Sequence, residues 1–403
     1  MKSTIIIVSH VVNDAVTHGF VPTAKAMGLH VVLITDHKLN HLKLSSDDER
    51  FNPDEILECD VFNPLELIEI ITEKNLAPHA VFSNSDHLQT STAICAQFFG
   101  LPAKDWNVTI KAKNKYLTRQ VLNEKSLPNT QSVLLSRESA PVFDFDFPVV
   151  AKPKEGVASL DVQRCDSAAE LDNYCDTFWQ KHPTTPILVE AFLQGPLITV
   201  ETIGDGDHLV ALGGFDVELS APPYFIETAA SWNGVNSVHY RDECIRQLQE
   251  FGVGFGVCHS EFIITDSGPV LVEINYRSIG DGREFLLDNL SGRNWFNTIL
   301  NLHLGHKLDP TFRIDGSAHV HYVVAQQSGV IEGSSTSFIH QKGDIVTQQQ
   351  VLKKVGDTFQ QSFSNKDYLA RISVVSPSGQ TLEPALQQAI SRFNLTATNE
   401  VTA

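Results

Sequence analysis

CHSEFIITDSGPVLVEINYR, residues 258–277, reads as two β-rich runs around the turn residues Asp266, Ser267, Gly268 and Pro269, which is a hairpin signal. With the turn centred near Ser267, Glu261 falls opposite Glu273. Side chains alternate faces along a strand. Glu261, Glu273 and Asn275 therefore share one face, His259 and Arg277 extend the same row, and Phe262, Ile264, Val270, Val272 and Ile274 make the other face apolar. Two carboxylates and an amide oxygen converging in this way form a hard, oxygen-only set suited to Mg2+ bridging nucleotide phosphates. Arg277, one alternation further, is placed to reach a phosphate or a developing oxyanion. The plain alternative is a half-exposed hairpin with a polar solvent face. Against it, directly opposed acids destabilise a hairpin unless a cation lies between them.

Just upstream, GVGFG at 252–256 follows a helix and precedes a strand. That is the reverse of the phosphate-binding order, so these glycines read as helix termination and close packing. GGFDVELSAPPYFIETAASWNG, 213–234, reads as a long irregular stretch beside the hairpin. Within it Glu227 is either a solvated acid or a partner for a substrate ammonium, and Trp232 either a core aromatic or a pocket wall. ILVEAFL (187–193) and ITVETI (198–203) are strand-like, and Ser167 to Glu170 is a capping box that opens a helix burying Leu171, Tyr174, Cys175, Phe178 and Trp179. FPVVAKPKEGVAS (147–159) is a strand running into a Gly- and Lys-containing loop. KAKNKYLTRQVLNEKSLP (111–128) reads as one helix with Lys111, Lys115 and Arg119 on a single face; a solvated basic stripe is its plain reading.

At the amino terminus TIIIV (4–8), VVLIT (31–35) and AVFSN (80–84) alternate with helical segments, one of them over 14–27. Such alternation means a parallel α/β sheet. SHVVNDAVTHG after the first strand lacks G-x-G-x-x-G, so this domain is Rossmann-like in pattern without a dinucleotide fingerprint. Beyond residue 310, HVHYVVA (319–325) and YLARISVV (368–375) read as strands, Glu383–Phe393 as a helix with Pro384 near its start, and the last ten residues as a loose tail.

Acids outnumber bases 48 to 30, for a net charge of −18. That balance argues against nucleic-acid or anionic-membrane binding, so any phosphate must be held by a few placed cations. A 403-residue chain that is 42% hydrophobic and 19% charged folds as a multi-domain globular protein without disulfide or metal staples. Its six cysteines form no C-x-x-C pair and suit neither a zinc ribbon nor a disulfide framework. No run approaches a signal-peptide core or a membrane span, which gives the expectation of a soluble, cytoplasmic protein and leaves the sequons at Asn107 and Asn394 without weight.

Taken together, HSEFIITDSGPVLVEINYRSIGDG, KNKYLTRQVL, FPVVAKPKEGVAS and LVEAFLQGP resemble, in order and over roughly residues 1–310, the motifs of the ATP-grasp superfamily. The resemblance implies an α/β (α+β) architecture with a Rossmann-like pre-ATP-grasp domain at 1–110, a small lobe at 111–190, a large lobe with the Mg2+ site at 191–310 and a carboxy-terminal α/β module and tail at 311–403, ATP lying between the two lobes. It puts Lys115 and Lys152 in the phosphate-lysine positions, Ser159 in the phosphate-covering loop, Glu190 on the adenine amino group, the Phe192–Leu193 backbone at the ring edge, Glu261, Glu273 and Asn275 on Mg2+ (or Mn2+), and Arg277 in the catalytic position; Glu227, His259 and Asp281 are candidate substrate contacts.

Three positions depart from the pattern. The loop EGVASLDV is poorer in glycine than in relatives. Leu197 stands where many relatives carry a ribose-binding Glu, leaving Glu201 or a looser hold on the ribose. Gly280–Asp281–Gly282 replaces the second family glycine, with Asp281 either a substrate contact or an incidental loop acid.

The resemblance implies ATP-dependent activation of a carboxylate to an acyl-phosphate and capture by an amine. It is similar to the amino-acid and dipeptide ligase branch and, in size and style, to siderophore-pathway ligases of the vibrioferrin kind. Small-molecule carboxylate and amine substrates are expected, and a homodimer, since many relatives pair. A metabolite carboxylase or phosphotransferase of the same fold, and a non-catalytic ATP-binding regulator, are the other readings.

Overall fold

A computed structural model describes residues 2–138 and 144–398. β1 (Thr4–Val8), β2 (His30–Thr35), β3 (Glu55–Glu58) and β4 (Pro78–Phe82) form a sheet of order β3-β2-β1-β4, parallel throughout. Ile5, Ile6, Ile7 and Val8 have no exposure at all, as befits a strand covered on both faces. Between β1 and β2 the chain runs through a π-helical turn, Ala15–Phe20, into α1 (Val21–Ala26), within the span expected to be helical. α2 (Lys38–Leu42), α3 (Pro64–Glu73) and α4 (Gln89–Phe98) complete the layer.

The basic segment that follows is two helices, not one: α5 (Trp106–Lys113) and α6 (Lys115–Glu124). They break at Asn114, whose backbone is extended and whose side chain accepts from the Tyr116 and Leu117 N–H groups. An asparagine that caps a new helix ends the old one. Lys115 and Arg119 are buried, so the solvated-stripe reading fails for both.

β5 (Ser132–Leu135), β6 (Val149–Pro153), β7 (Gln163–Cys165) and β8 (Ile187–Ala191) make a small antiparallel sheet. α7 (Ala168–Lys181) covers it with Leu171, Tyr174, Cys175 and Phe178, and Trp179 packs partly buried at its margin. Ser167 caps α7, but the Glu170 carboxylate accepts from Asp166 N–H at 2.9 Å instead of from Ser167, so the capping box is half closed.

β9 (Leu197–Asp205), β10 (Leu209–Gly213), β11 (Phe215–Leu219), β12 (Glu227–Trp232), β13 (Phe255–Thr265), β14 (Gly268–Asn275), β15 (Ser317–Val324), β16 (Gly329–Gly333), β17 (Phe338–Lys342), β18 (Ile345–Val351), β19 (Thr358–Phe359), β20 (Tyr368–Ser376) and β21 (Leu395–Thr398) supply the rest. All but β16, β19 and β21 join one large sheet, which runs from the β14–β13 hairpin through β9, β11, β12 and β15 to β20, β18 and β17. The segment expected to be irregular over 213–234 is therefore the antiparallel pair β11–β12, in register Asp216 to Ser231; only its connection, which carries the cis bond Pro222–Pro223, is irregular. α8 (Val235–Phe251) packs on the hairpin and β9 and ends at Gly252 in the left-handed conformation. α9 (Arg283–Leu290) and α10 (Trp295–His303) lie between the large sheet and the first domain, and α11 (Glu383–Arg392), with its early Pro384, packs under β18 and β20. Leu395–Thr398, read as loose tail, pairs with β16; the remainder of that tail lies outside the described residues.

α10 joins the domains by packing Phe296 against Phe20 and directly over Gly19, where a Cβ would fall 2.4 Å from the Phe296 ring. Among the described residues no helix is long and apolar enough to cross a membrane.

Candidate active site

β13 and β14 pair as expected, His259 with Asn275 and Glu261 with Glu273, around a turn at Asp266–Ser267. Beyond Glu261 the register shifts and Phe262 pairs with Leu271, leaving Val272 as the extra residue of a β-bulge. That alters the predicted apolar face: Leu271 joins Phe262, Ile264 and Ile274 in the core beneath α8, while Val272 lines a cleft. Arg119 reaches the bulge from α6, donating from Nη1 to Leu271 O at 2.6 Å and from Nη2 to Val272 O at 3.0 Å.

The cleft, about 450 Å3, lies between the small sheet and the hairpin. Lys115, Lys152, Ser159, Glu190, Phe192, Leu193, Glu227, His259, Glu261, Glu273, Asn275, Arg277 and Asp281 all line it, so these thirteen candidates come to one place, while Glu201 and Trp232 do not.

On the small-sheet side Glu190 accepts from Arg119 Nε at 2.6 Å and from Lys152 Nζ at 2.7 Å. Burial pushes its carboxyl pKa up, but the two cations outweigh burial and hold it at about 2. One oxygen is thus committed to each cation, and any bond to an adenine amino group falls to the remaining lone pairs. The Lys152 ammonium is lowered by burial, which Glu190 partly offsets. Phe192 packs its ring under the Arg164 guanidinium, 4.6 Å away.

Across the cleft Lys115 Nζ lies 2.9 Å from Glu273 Oε1 and 3.4 Å from Gly156 O. His259 is clamped through Nδ1 to Glu201 at 2.7 Å, with Nε2 3.5 Å from Glu261. Burial disfavours the charged imidazole, yet Glu201 and Glu261 raise its pKa to about 9. The opposed acids therefore already have protein cations beside them, Lys115 and His259; a metal is not needed merely to keep them together. Burial likewise opposes the charged Glu261, but His259, Lys115 and Arg283 bring its pKa down. Glu201 is buried beneath His259, also accepts from Thr199, and does not line the cleft, so it is no ribose partner. Leu197 does line it.

In the covering loop Ala158, Ser159 and Asp161 have φ of 59°, 54° and 55°. These are conformations glycine adopts freely and other residues at some strain, so the glycine-poor loop takes left-handed turns without glycine. Its Ala158 carbonyl accepts from Asn365 N–H at 3.0 Å. Asp281 is likewise left-handed, at φ 54°, and the Arg277 guanidinium donates to Ser278 O at 2.8 Å.

The far end of the cleft is charged. Arg283 Nη2 binds Glu227 Oε2 at 2.6 Å, and Asn365 brackets Glu227, accepting from its N–H at 3.0 Å and donating to Oε1 at 3.4 Å. Burial raises the Glu227 pKa despite Arg283. Trp232 is not a cleft wall; it packs on Phe215 in the core and donates from Nε1 to Ile314 O. No motif or spacing singles out Arg283 or Asn365. Arg119 was visible as a basic residue, but its partners Glu190 and Leu271 lie 71 and 152 residues away.

No protein-family model matches the chain. An uncharacterized protein, y4rH, of Sinorhizobium fredii is 26% identical over 252 residues, 59% of this chain and 51% of that one; the chain thus spans about half the length of that relative. Solved structures match over nearly all of it. An L-amino acid ligase from Bacillus licheniformis superposes with a TM-score of 0.77 at 16% identity, covering 99% of both chains. The biotin carboxylase domain of the Hydrogenobacter thermophilus 2-oxoglutarate carboxylase, determined with MgADP and bicarbonate, superposes with a TM-score of 0.67 at 15% identity, covering 97% of this chain and 89% of that one. The chain therefore has the ATP-grasp fold, one it shares with ligases and carboxylases alike.

Proposed function

We propose that this protein is an ATP- and Mg2+-dependent carboxylate–amine ligase. The observation that carries the reading is the convergence of two buried lysines, Lys115 and Lys152, with the oxygen donors Glu261, Glu273 and Asn275 and with Arg277 in one cleft. An acidic chain with net charge −18 gathers there the placed cations that a triphosphate needs. The donor set is all oxygen, which fits Mg2+ (or Mn2+) and not a softer ion. When bound, the ion supplies charge neutralisation on the phosphates.

In this reading Lys115 and Lys152 hold phosphate oxygens, Glu190 fixes Lys152, and the Phe192–Leu193 backbone just past β8 meets the adenine. The loop carrying Ser159 covers the phosphates and excludes water. A substrate carboxylate oxygen attacks the γ-phosphorus as the bond to ADP breaks, giving an acyl-phosphate; Arg277 offsets the charge on the transferred group. The amine nitrogen then attacks the acyl carbon, the C–O bond to phosphate breaks, and the amine loses a proton. Glu227, with His259 and Asp281 nearby, receives a substrate ammonium. This favours a free amino acid or small amine as substrate, as in secondary metabolism of the siderophore kind. The likeness to an L-amino acid ligase supports the same choice.

The likeness to a biotin carboxylase domain keeps ATP-dependent carboxylation as the second reading. Phosphate release from ATP and Mg2+ across a panel of amino acids and amines, with product masses, separates the two. Release requiring both a carboxylate and an amine, yielding a condensed mass and lost in Glu273→Gln, is the expected result; release driven by bicarbonate in the absence of an amine would replace the ligase with the carboxylase.

A further inference from the structure

We infer that the amino-terminal domain carries a second metal site, for a divalent transition ion such as Zn2+, built from His10, Asp36 and His37. Among the described residues, these three form the group of His, Cys, Asp and Glu side chains whose ligand atoms all lie within 4.8 Å of one another. His10 follows β1 and the Asp36–His37 pair follows the neighbouring β2, so the set sits at the carboxyl ends of adjacent parallel strands, where open α/β sheets place their ligands.

The backbone beneath the set is pinned. The Thr35 hydroxyl, fully buried, donates to His10 O at 3.0 Å and accepts from His37 N–H at 3.1 Å, which staples the two ligand-bearing turns together. His41 Nε2 adds a contact to the same His10 carbonyl at 3.2 Å. His10 Nδ1 faces both Asp36 oxygens at 2.8 and 2.9 Å, and its ring lies 4.7 Å from that of His37. The His10 and Asp36 side chains are about a quarter exposed, so an ion has a route in. Among the described residues no Lys or Arg forms an ion pair with Asp36.

Two imidazoles and one carboxylate form a borderline nitrogen–oxygen set, which selects Zn2+, Co2+ or Ni2+ over the Mg2+ suited to the all-oxygen cleft. Donor atoms around Zn2+ stand about 3.3 Å apart at ordinary bond lengths, so separations of up to 4.8 Å need shorten by no more than about 1.5 Å to close the set. Three protein ligands leave a coordination position open to water or a small ligand. Ser9, Val11 and Asn13, on either side of His10, line the active-site cleft, so an ion here would tie down one wall of it.

The test uses the full chain, stripped with chelator and titrated with Zn2+ against a chromophoric competitor in excess Mg2+, then with Co2+ for its visible spectrum. The expected result is one stoichiometric ion, a tetrahedral Co2+ spectrum and a raised thermal midpoint. The ion should be lost in His10→Gln and in His37→Ala, each checked by circular dichroism for folding, and kept in Glu273→Gln. No stoichiometric uptake, uptake that survives both histidine variants, or uptake lost only in Glu273→Gln would overturn the site. None of these readouts depends on the ligase reading.

Discussion

Glu190 illustrates how far a residue's surroundings decide its chemistry. A glutamate closing an apolar strand reads as a solvated end or as a hinge acceptor; what fixes it is Arg119 and Lys152, both buried and both within 2.7 Å. Removing one partner from a buried ion network leaves the others uncompensated, typically about 3–5 kcal/mol. Arg119→Met should lose that much in urea unfolding, since it also strands two carbonyls of the hairpin. Glu190→Gln should lose a similar amount, and the double variant distinctly less than the sum; additive losses would show that the pair is not coupled. His259 carries a pH signature. Its folded-state pKa, about 9, lies above the ordinary 6.5, so the charged imidazole favours the folded state. That contribution is complete below about pH 6.5 and fades as the pH rises through about 9, with a slope of at most ~1.4 kcal/mol per pH unit. Unfolding of His259→Gln should lack this decline between the two values. A decline of unchanged size would assign it to another group.

Elements were most legible where a period was clean. Alternation over 258–277 gave the hairpin and its facing pairs because a period of two leaves no choice of face, whereas a one-residue bulge leaves no mark in composition and moved Val272 from core to cleft. The helix expected over 111–128 contains neither Gly nor Pro, except for its final proline, so periodicity alone runs α5 and α6 together; the break is a side-chain competition at Asn114 that only the fold resolves. Asn114→Ala should cost about 1 kcal/mol as a lost cap. Because Lys115 is the first residue of α6, and Asn114 also donates to Glu155 in the loop that carries Ser159 at 3.2 Å, the same variant should, on the ligase reading, raise the KM for ATP. Stability loss with KM unchanged would separate the cap from the cleft. At the other interface, Gly19→Ala places a methyl 2.4 Å from the Phe296 ring. It should lower stability by about 1–3 kcal/mol through overpacking, read as a lower urea midpoint, and a neutral effect would mean that α10 yields easily.

Over the whole molecule, the cleft draws on segments that no local pattern joins: Lys115 from the start of α6, the hairpin at 258–277, and Asn365 from the helical turn that leads into β20. The motif-bearing residues could be read in order because, on the ligase reading, nucleotide chemistry dictates their types. At the charged far end only Glu227 could be singled out; its partners Arg283 and Asn365 are ordinary polar residues until the large sheet continues past β12 into β15 and β20 and brings them together. Asn365 is the point at which that distant module touches both halves of the site, its backbone N–H on Ala158 of the covering loop and its side chain on Glu227. Asn365→Ala keeps the first contact and removes the second, leaving the part-buried Glu227 N–H without its acceptor, a loss of about 1 kcal/mol. On the ligase reading, the KM for the ammonium-bearing substrate should then rise roughly tenfold, equivalent to ~1.4 kcal/mol, with the KM for ATP nearly unchanged. Equal rises in both would instead mean that the carboxy-terminal module acts on the nucleotide through the covering loop, and that Glu227 does not hold the substrate.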